Sequence, residues 1–205
     1  MINTAIESSE YLNQQRRGRL ILICMLIFFI IPIIAVIAMY KLDWRPKGES
    51  VGELVTPPKT LSIAPALTHN NDTKVSANLL KDKWSMIYVA AECDMQCKNK
   101  LHQMRQLHVS LYKEIPRMQR VLVTTSQDVA DIANNYPELI IINQPTDDVM
   151  AFSQQFNIGN ESAINTHRIY LSDPLGQLIM SYQSSTSPAL VRKDITRLMK
   201  YSWTG

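Results

Sequence analysis

The chain has 205 residues, of which 46% are hydrophobic and 19% charged, and a formal net charge of +3. That balance suits one folded domain plus an apolar accessory segment, and excludes a chain dominated by disorder. So small a charge, with no lysine–arginine stripe interleaved with aromatics, also sets aside nucleic acid as a partner.

Residues 1–19 form a short polar tail. Leu20 to Tyr40, LILICMLIFFIIPIIAVIAMY, then runs 21 residues without a charge. As a helix it is ~31 Å long, close to the thickness of a bilayer's hydrocarbon core. Pro32 within it is tolerable in a membrane span. A cleaved signal peptide is the rival reading, but its apolar region runs to only about 7–15 residues. Ala35 and Ala38 are also spaced one residue too far for an A-x-A cleavage site. An uncleaved transmembrane helix over 20–40 is therefore expected, with Cys24 as an apolar filler.

Arg16, Arg17 and Arg19 crowd the N-terminal flank of the span, and Lys41, Arg45 and Lys47 follow it. The tight arginine cluster on a short tail favours a cytoplasmic tail at 1–19. The rest of the chain is then expected outside the cytoplasm. In a bacterium this means a single-pass inner-membrane protein with a periplasmic C-terminal domain, where a dithiol can oxidise.

Residues 41–78 hold four prolines and two glycines among many small polar residues. They read as an extended linker, within which GELVTPPKTL can add a short edge strand. Regular patterning begins near Leu79. WSMIYVA (Trp84–Ala90) reads as a buried strand. KNKLHQMRQLHVSLYKEI reads as a helix, because Cys97, Leu101, Met104, His108, Leu111 and Ile115 recur at steps of three and four. Strands at Arg120–Thr125 and Glu138–Asn143 alternate with helices at DVADIANNY, capped by Ser126 or Asp128, and TDDVMAFSQQF, capped by Thr146. HRIYLSD, a DPLG turn and QLIMSYQ make a hairpin, and SPALVRKDITRLMKY a final amphipathic helix with Pro188 in its first turn.

The resulting order, β-α-β-α-β-α-β-β-α, predicts an α/β domain over 79–205: a central mixed sheet flanked by helices, in thioredoxin-like order with one added βα unit. Cys93 and Cys97 fall at its first strand-to-helix junction. A helix N-terminus favours the thiolate, as do nearby Lys98, Lys100 and Arg105, while Glu92 and Asp94 oppose it. The spacing is C-x3-C rather than the C-x2-C of disulfide exchange. Two sulfurs so placed can cycle as a redox pair or converge on one soft ion, Cu(I) or zinc, leaving room for a third ligand. The plainer alternative is a pair of buried small hydrophobes.

Four histidines are available as that ligand. His69 lies in the linker, His108 on the apolar stripe of the helix, and His102 about 140° round that helix from Cys97. His167 opens the strand HRIYLSD, which this topology sets beside the cysteine turn. It is the candidate third ligand, against a plain polar role at a strand edge.

These features together resemble the Sco/SenC cytochrome oxidase assembly proteins: a membrane anchor, a thioredoxin-like order, C-x3-C after the first core strand, and a distal histidine before YLSDPLGQL. Still closer in pattern are small bacterial cytochrome-oxidase-associated membrane proteins, similar in GELVTPP, CDMQC, KLHQMRQLHVSLYKE, RMQRVLVTT, IYLSDPLGQLIMSY and KDITRLMKYSWTG, from about Gly52 to Gly205. The resemblance implies Cu(I) held by the Cys93 and Cys97 thiolates and a histidine. It implies delivery of that copper to a cytochrome oxidase subunit or another copper protein, or reduction of such a partner's thiols. Lys98 stands where the Sco pattern has proline. His167 stands three residues before Tyr170, and Asn165 holds the family's histidine place, five before. A two-residue offset keeps the same strand face. His167 also occupies the place of the usual thioredoxin cis-proline. Two further readings therefore stay open: a thiol–disulfide oxidoreductase acting on other proteins' cysteines, and a non-catalytic binding module docking on an oxidase subunit.

Overall fold

The computed structural model describes residues 3–41, 50–69 and 73–202. Part of the expected linker, including Arg45 and Lys47, lies outside the described residues. The chain divides into two units after Glu49. In the first, α1 (Asn3–Lys41) carries the uncharged run with Pro32 inside it. Its Arg16–Lys41 stretch is long and apolar enough to cross a membrane.

The second unit is built on a mixed sheet. β4 (Trp84–Ala90) lies at its centre, with β5 (Met118–Thr124) and β6 (Leu139–Gln144) parallel on one side. β7 (Ile169–Ser172) and β8 (Gln177–Tyr182) run antiparallel on the other. Every residue of β4 is buried, which is why WSMIYVA is apolar on both faces apart from Ser85 rather than alternating: both faces are covered. On one face Trp84, Met86, Tyr88 and Ala90 pack with Cys97, Leu101, Met104 and Leu107 of α2 (Met95–Val109) and with α6 (Pro188–Tyr201). On the other, Ile87 and Val89 pack with Val149, Phe152 and Phe156 around α4 (Thr146–Gln154). The short α3 (Ala130–Asn135) links β5 to β6, and α5 (Ala163–Thr166) precedes β7.

The sequence reading meets this architecture closely and differs at its margins. The GELVTPPKTL segment is β1 (Glu53–Thr60), antiparallel to β8 with a register shift between Leu54 and Lys59. An edge position accommodates its two prolines, which have no N–H to donate. Two-residue strands β2 (Thr68–His69) and β3 (Thr73–Lys74) extend the opposite edge. Helix α2 stops at Val109 instead of running to Ile115. Ser110 turns its hydroxyl onto the Leu107 carbonyl at 2.7 Å, and Tyr112 takes φ 51° at the start of a 3-10 turn, Tyr112–Arg117. The left-handed backbone ends the α ladder there.

The start of β1 is fastened by one carboxylate. Asp194 of α6 is buried and accepts from the Ser50 hydroxyl at 2.9 Å and from the backbone N–H groups of Val51 and Gly52 at 2.8 and 3.1 Å. Gly52 fits because a Cβ there would strike Met180 and Tyr182. Across the sheet edge, Arg168 pairs with Glu53 and Glu161, tying β1 to β7.

Candidate functional site

The chain turns from β4 into α2 through Ala91-Glu92-Cys93-Asp94. The Ala91 carbonyl accepts from the Thr125 N–H at 3.2 Å and from the Thr124 and Thr125 hydroxyls at 3.0 and 2.8 Å. Three donors from the end of β5 thus hold the residue two before Cys93. Asp94 is the N-cap of α2, its carboxylate accepting the Cys97 N–H at 2.9 Å. Cys93 therefore precedes the helix while Cys97 sits in its first turn, 4.9 Å apart at Cα and joined as a disulfide. The two sulfurs differ in access. Cys97 is fully buried against Leu101 and Met104, whereas Cys93 is half-buried and lines a cleft.

That cleft, about 450 Å³, lies at the carboxyl ends of β4 and β5 between the cysteine turn and the Thr125–Ile132 segment. Its rim is mostly acidic: Glu92, Asp94, Asp128 and Asp131 against Lys98. Lys100, one turn into α2, is buried. Its amino group donates to the Gln103 side chain at 3.1 Å and the Ser184 carbonyl at 3.2 Å. Burial pulls its pKa down.

The two histidines of α2 separate as the helical period predicts, whereas His167 precedes β7, which begins at Ile169, instead of opening the strand. His102 is exposed and bonds its helix neighbour Gln106. His108 is buried, with Nε2 between the Ile115 and Met118 carbonyls, the satisfied core histidine of the apolar stripe. His167 is different. It caps α5 with a left-handed backbone, φ 50° and ψ 31°, and is half-buried. Tyr88 pairs with Ile169 where the β4–β7 ladder ends, and His167 precedes that last pair by two residues. Its Nδ1 lies 2.9 Å from the Tyr88 hydroxyl, with the two rings 6.5 Å apart and stacked at 27°.

Tyr88 is the residue of this site that sequence reasoning passed over. It is wholly buried on the α2 face of β4, the face that also receives Cys97. Burial pushes its pKa up to about 12, and the Asp94 charge adds to the rise, so the phenol lies within the field of the cysteine helix's cap. Inside a strand apolar apart from Ser85 its hydroxyl gives no signal. Only the partner at position 167 reveals it.

Two thiolates and an imidazole form a donor set suited to a soft ion such as Cu(I). With the sulfurs bonded to each other, no three His, Cys, Asp or Glu side chains are gathered for a metal among the described residues. The arrangement is that of the oxidised pair, in which neither sulfur is a thiolate.

Residues 84–202, more than half of the chain, match the family model described as the transmembrane-like, thioredoxin-like, C-terminal domain. The chain belongs to this family. A comparison with curated proteins finds no match. Among solved structures, this family member is similar to the copper-bound Sco protein of yeast at 18% identity, with a TM-score of 0.56, covering 77% of this chain and 96% of that one. It is similar to the apo Sco protein of Thermus thermophilus at 18% identity and a TM-score of 0.57, covering 73% and 96%. BsSco, described as a Sco-family cytochrome c oxidase assembly protein with a disulfide switch, matches at 14% identity and a TM-score of 0.54, covering 72% and 99%. At these identities the likeness is one of fold. The transmembrane-like, thioredoxin-like family member has a Sco/SenC-like fold, with its cysteine pair at the head of α2.

Proposed function

We propose that this protein is a membrane-anchored, copper-handling thioredoxin-like assembly factor for a haem–copper oxidase. In this reading α1 is a single inner-membrane span with the tail at 1–19 in the cytoplasm, and the domain works in the periplasm. The observation that carries the reading is the Cys93–Cys97 pair at the β4–α2 junction, one sulfur facing a cleft and the other closed into the core. Likeness in fold to copper-bound and disulfide-switching Sco structures supports it.

Reduced, Cys93 and Cys97 would supply two thiolates to Cu(I), and His167, held by Tyr88 of the central strand, would supply the third ligand. Copper here is cargo for a cytochrome oxidase subunit or another copper protein. When a partner's disulfide takes two electrons from the two bound thiolates, the Cys93–Cys97 bond forms, the partner is left with two thiolates and the ion is released, so thiol state and loading are coupled. The test is a competition titration of the full chain in detergent, reduced and free of oxygen. One Cu(I) per chain is expected, lost in Cys93→Ser and in Cys97→Ser. Equal binding by both variants defeats the copper role.

The disulfide itself favours a second reading, thiol–disulfide exchange with a partner protein. A partner thiolate would attack Cys93 Sγ, the accessible sulfur, forming a mixed disulfide and expelling Cys97 as thiolate at the helix N-terminus. A second partner thiolate would then displace Cys93, leaving the partner oxidised and this pair reduced. A measurable redox potential with no retained Cu(I) selects this reading over the first.

A further inference from the structure

His167 can offer a metal only one of its ring nitrogens, because the other already faces the Tyr88 hydroxyl at 2.9 Å. We propose that Tyr88 is a positioning residue that reserves Nε2 of His167 for Cu(I) by engaging Nδ1. This rests on the reading of His167 as the third copper ligand.

Three observations converge on it. The Tyr88 side chain cannot move freely: it is wholly buried on the central strand, enclosed by the α2-side core. The His167 backbone is fixed as well, held left-handed at φ 50° between α5, which lies against β4, and the start of β7. The ring is therefore the adjustable part, and the phenol stacked beside it at 27° sets its rotation. Binding a metal through Nε2 requires the lone pair on Nε2 and the proton on Nδ1. Nδ1–H then donates to the Tyr88 oxygen, the outer-shell arrangement that orients metal-binding histidines and fixes their tautomer. Without Tyr88, imidazole is free to rotate and to place its proton on either nitrogen.

The experiment uses the full chain in detergent micelles, reduced, as wild type, Tyr88→Phe, Tyr88→Gln and His167→Ala. Phenylalanine keeps the ring and removes only the hydroxyl, and thermal melting of each variant verifies the fold. Long-range 15N–1H NMR on histidine-labelled protein reads the His167 tautomer with no metal present. The hydroxyl should hold the wild type in a single tautomer, with a mixture in Tyr88→Phe. Cu(I) affinity should fall about 10- to 100-fold in Tyr88→Phe, the usual range for loss of an outer-shell partner. Glutamine, which restores a polar group to that face, should recover part of it. An unchanged tautomer and unchanged affinity in Tyr88→Phe overturn the proposal while leaving His167 as ligand, provided His167→Ala weakens binding. If His167→Ala binds Cu(I) as the wild type does, the ligand reading fails and the proposal falls with it.

Discussion

The Asp94 carboxylate accepts the backbone N–H of Cys97 at 2.9 Å, so the first of the three residues between the two cysteines is also the cap of the helix that carries the second. The cap and the charge can be separated. Asp94→Ala loses both and should destabilise the domain by about 1 kcal/mol, read by thermal or urea denaturation. Asp94→Asn keeps a capping oxygen and removes a negative charge from the thiols. Its cysteines should alkylate at lower pH than those of the wild type in a rate–pH series with iodoacetamide. A profile unmoved in Asp94→Asn means that this charge does not reach the pair.

Burial makes the two sulfurs unequal partners. Cys97 is closed in by Leu101 and Met104, while Cys93 opens on the cleft. In Cys97→Ser the remaining Cys93 should form a mixed disulfide with oxidised glutathione within the reaction time. In Cys93→Ser the buried Cys97 should react at least about tenfold more slowly, in keeping with access as a control on exchange. Mass spectrometry of quenched time points checks this. Equal rates contradict the burial argument.

The pattern of elements was legible because hydrophobic period distinguishes strand from helix over long segments, and the alternation from Trp84 to Tyr201 is long. The position of the cysteine pair at a strand-to-helix junction followed from it. Three features were not legible, for physical reasons. α5 and the two-residue strands β2 and β3 are too short to show a period, and β2 joins the sheet through distant β6. The end of α2 turns on the left-handed Tyr112, a conformation its residue type does not announce. Tyr88 reads as one more core residue of WSMIYVA, since its hydroxyl partner lies 79 positions on. Asp94, by contrast, carried a readable sign: an aspartate just before a periodic run is a cap.

Asp194 should control how firmly the start of β1 is attached. Its carboxylate holds three donors from Ser50, Val51 and Gly52. Asp194→Ala leaves those donors without their acceptor and should cost about 1–3 kcal/mol. The amides of Val51 and Gly52 should lose hydrogen-exchange protection before those of β4. Unchanged protection at these two amides shows that the clip is not what orders the segment.

Alkaline pH should destabilise the domain through its buried phenols. Burial raises the pKa of Tyr88 to about 12 and also pushes Tyr170 and Tyr182 upward. A group whose folded pKa is raised holds its proton in the native state after the unfolded chain has lost it. The stability it contributes is full below pH ~10 and declines as pH rises through the folded value. Tyrosinate absorbance and circular dichroism, followed from pH 9 to 12, should show the late-ionising tyrosines appearing together with loss of structure. Tyr88→Phe should narrow that decline. Ionisation of all eight tyrosines near pH 10 with the fold intact rules this out.

Copper K-edge X-ray absorption on the full chain, reduced in detergent and loaded with one equivalent of Cu(I), tests the central claim most directly. Two sulfur scatterers and one nitrogen are predicted in the wild type, with no copper retained in Cys93→Ser or Cys97→Ser and the nitrogen lost in His167→Ala. Failure to retain copper after desalting, or a coordination shell unchanged in the double cysteine variant, contradicts it.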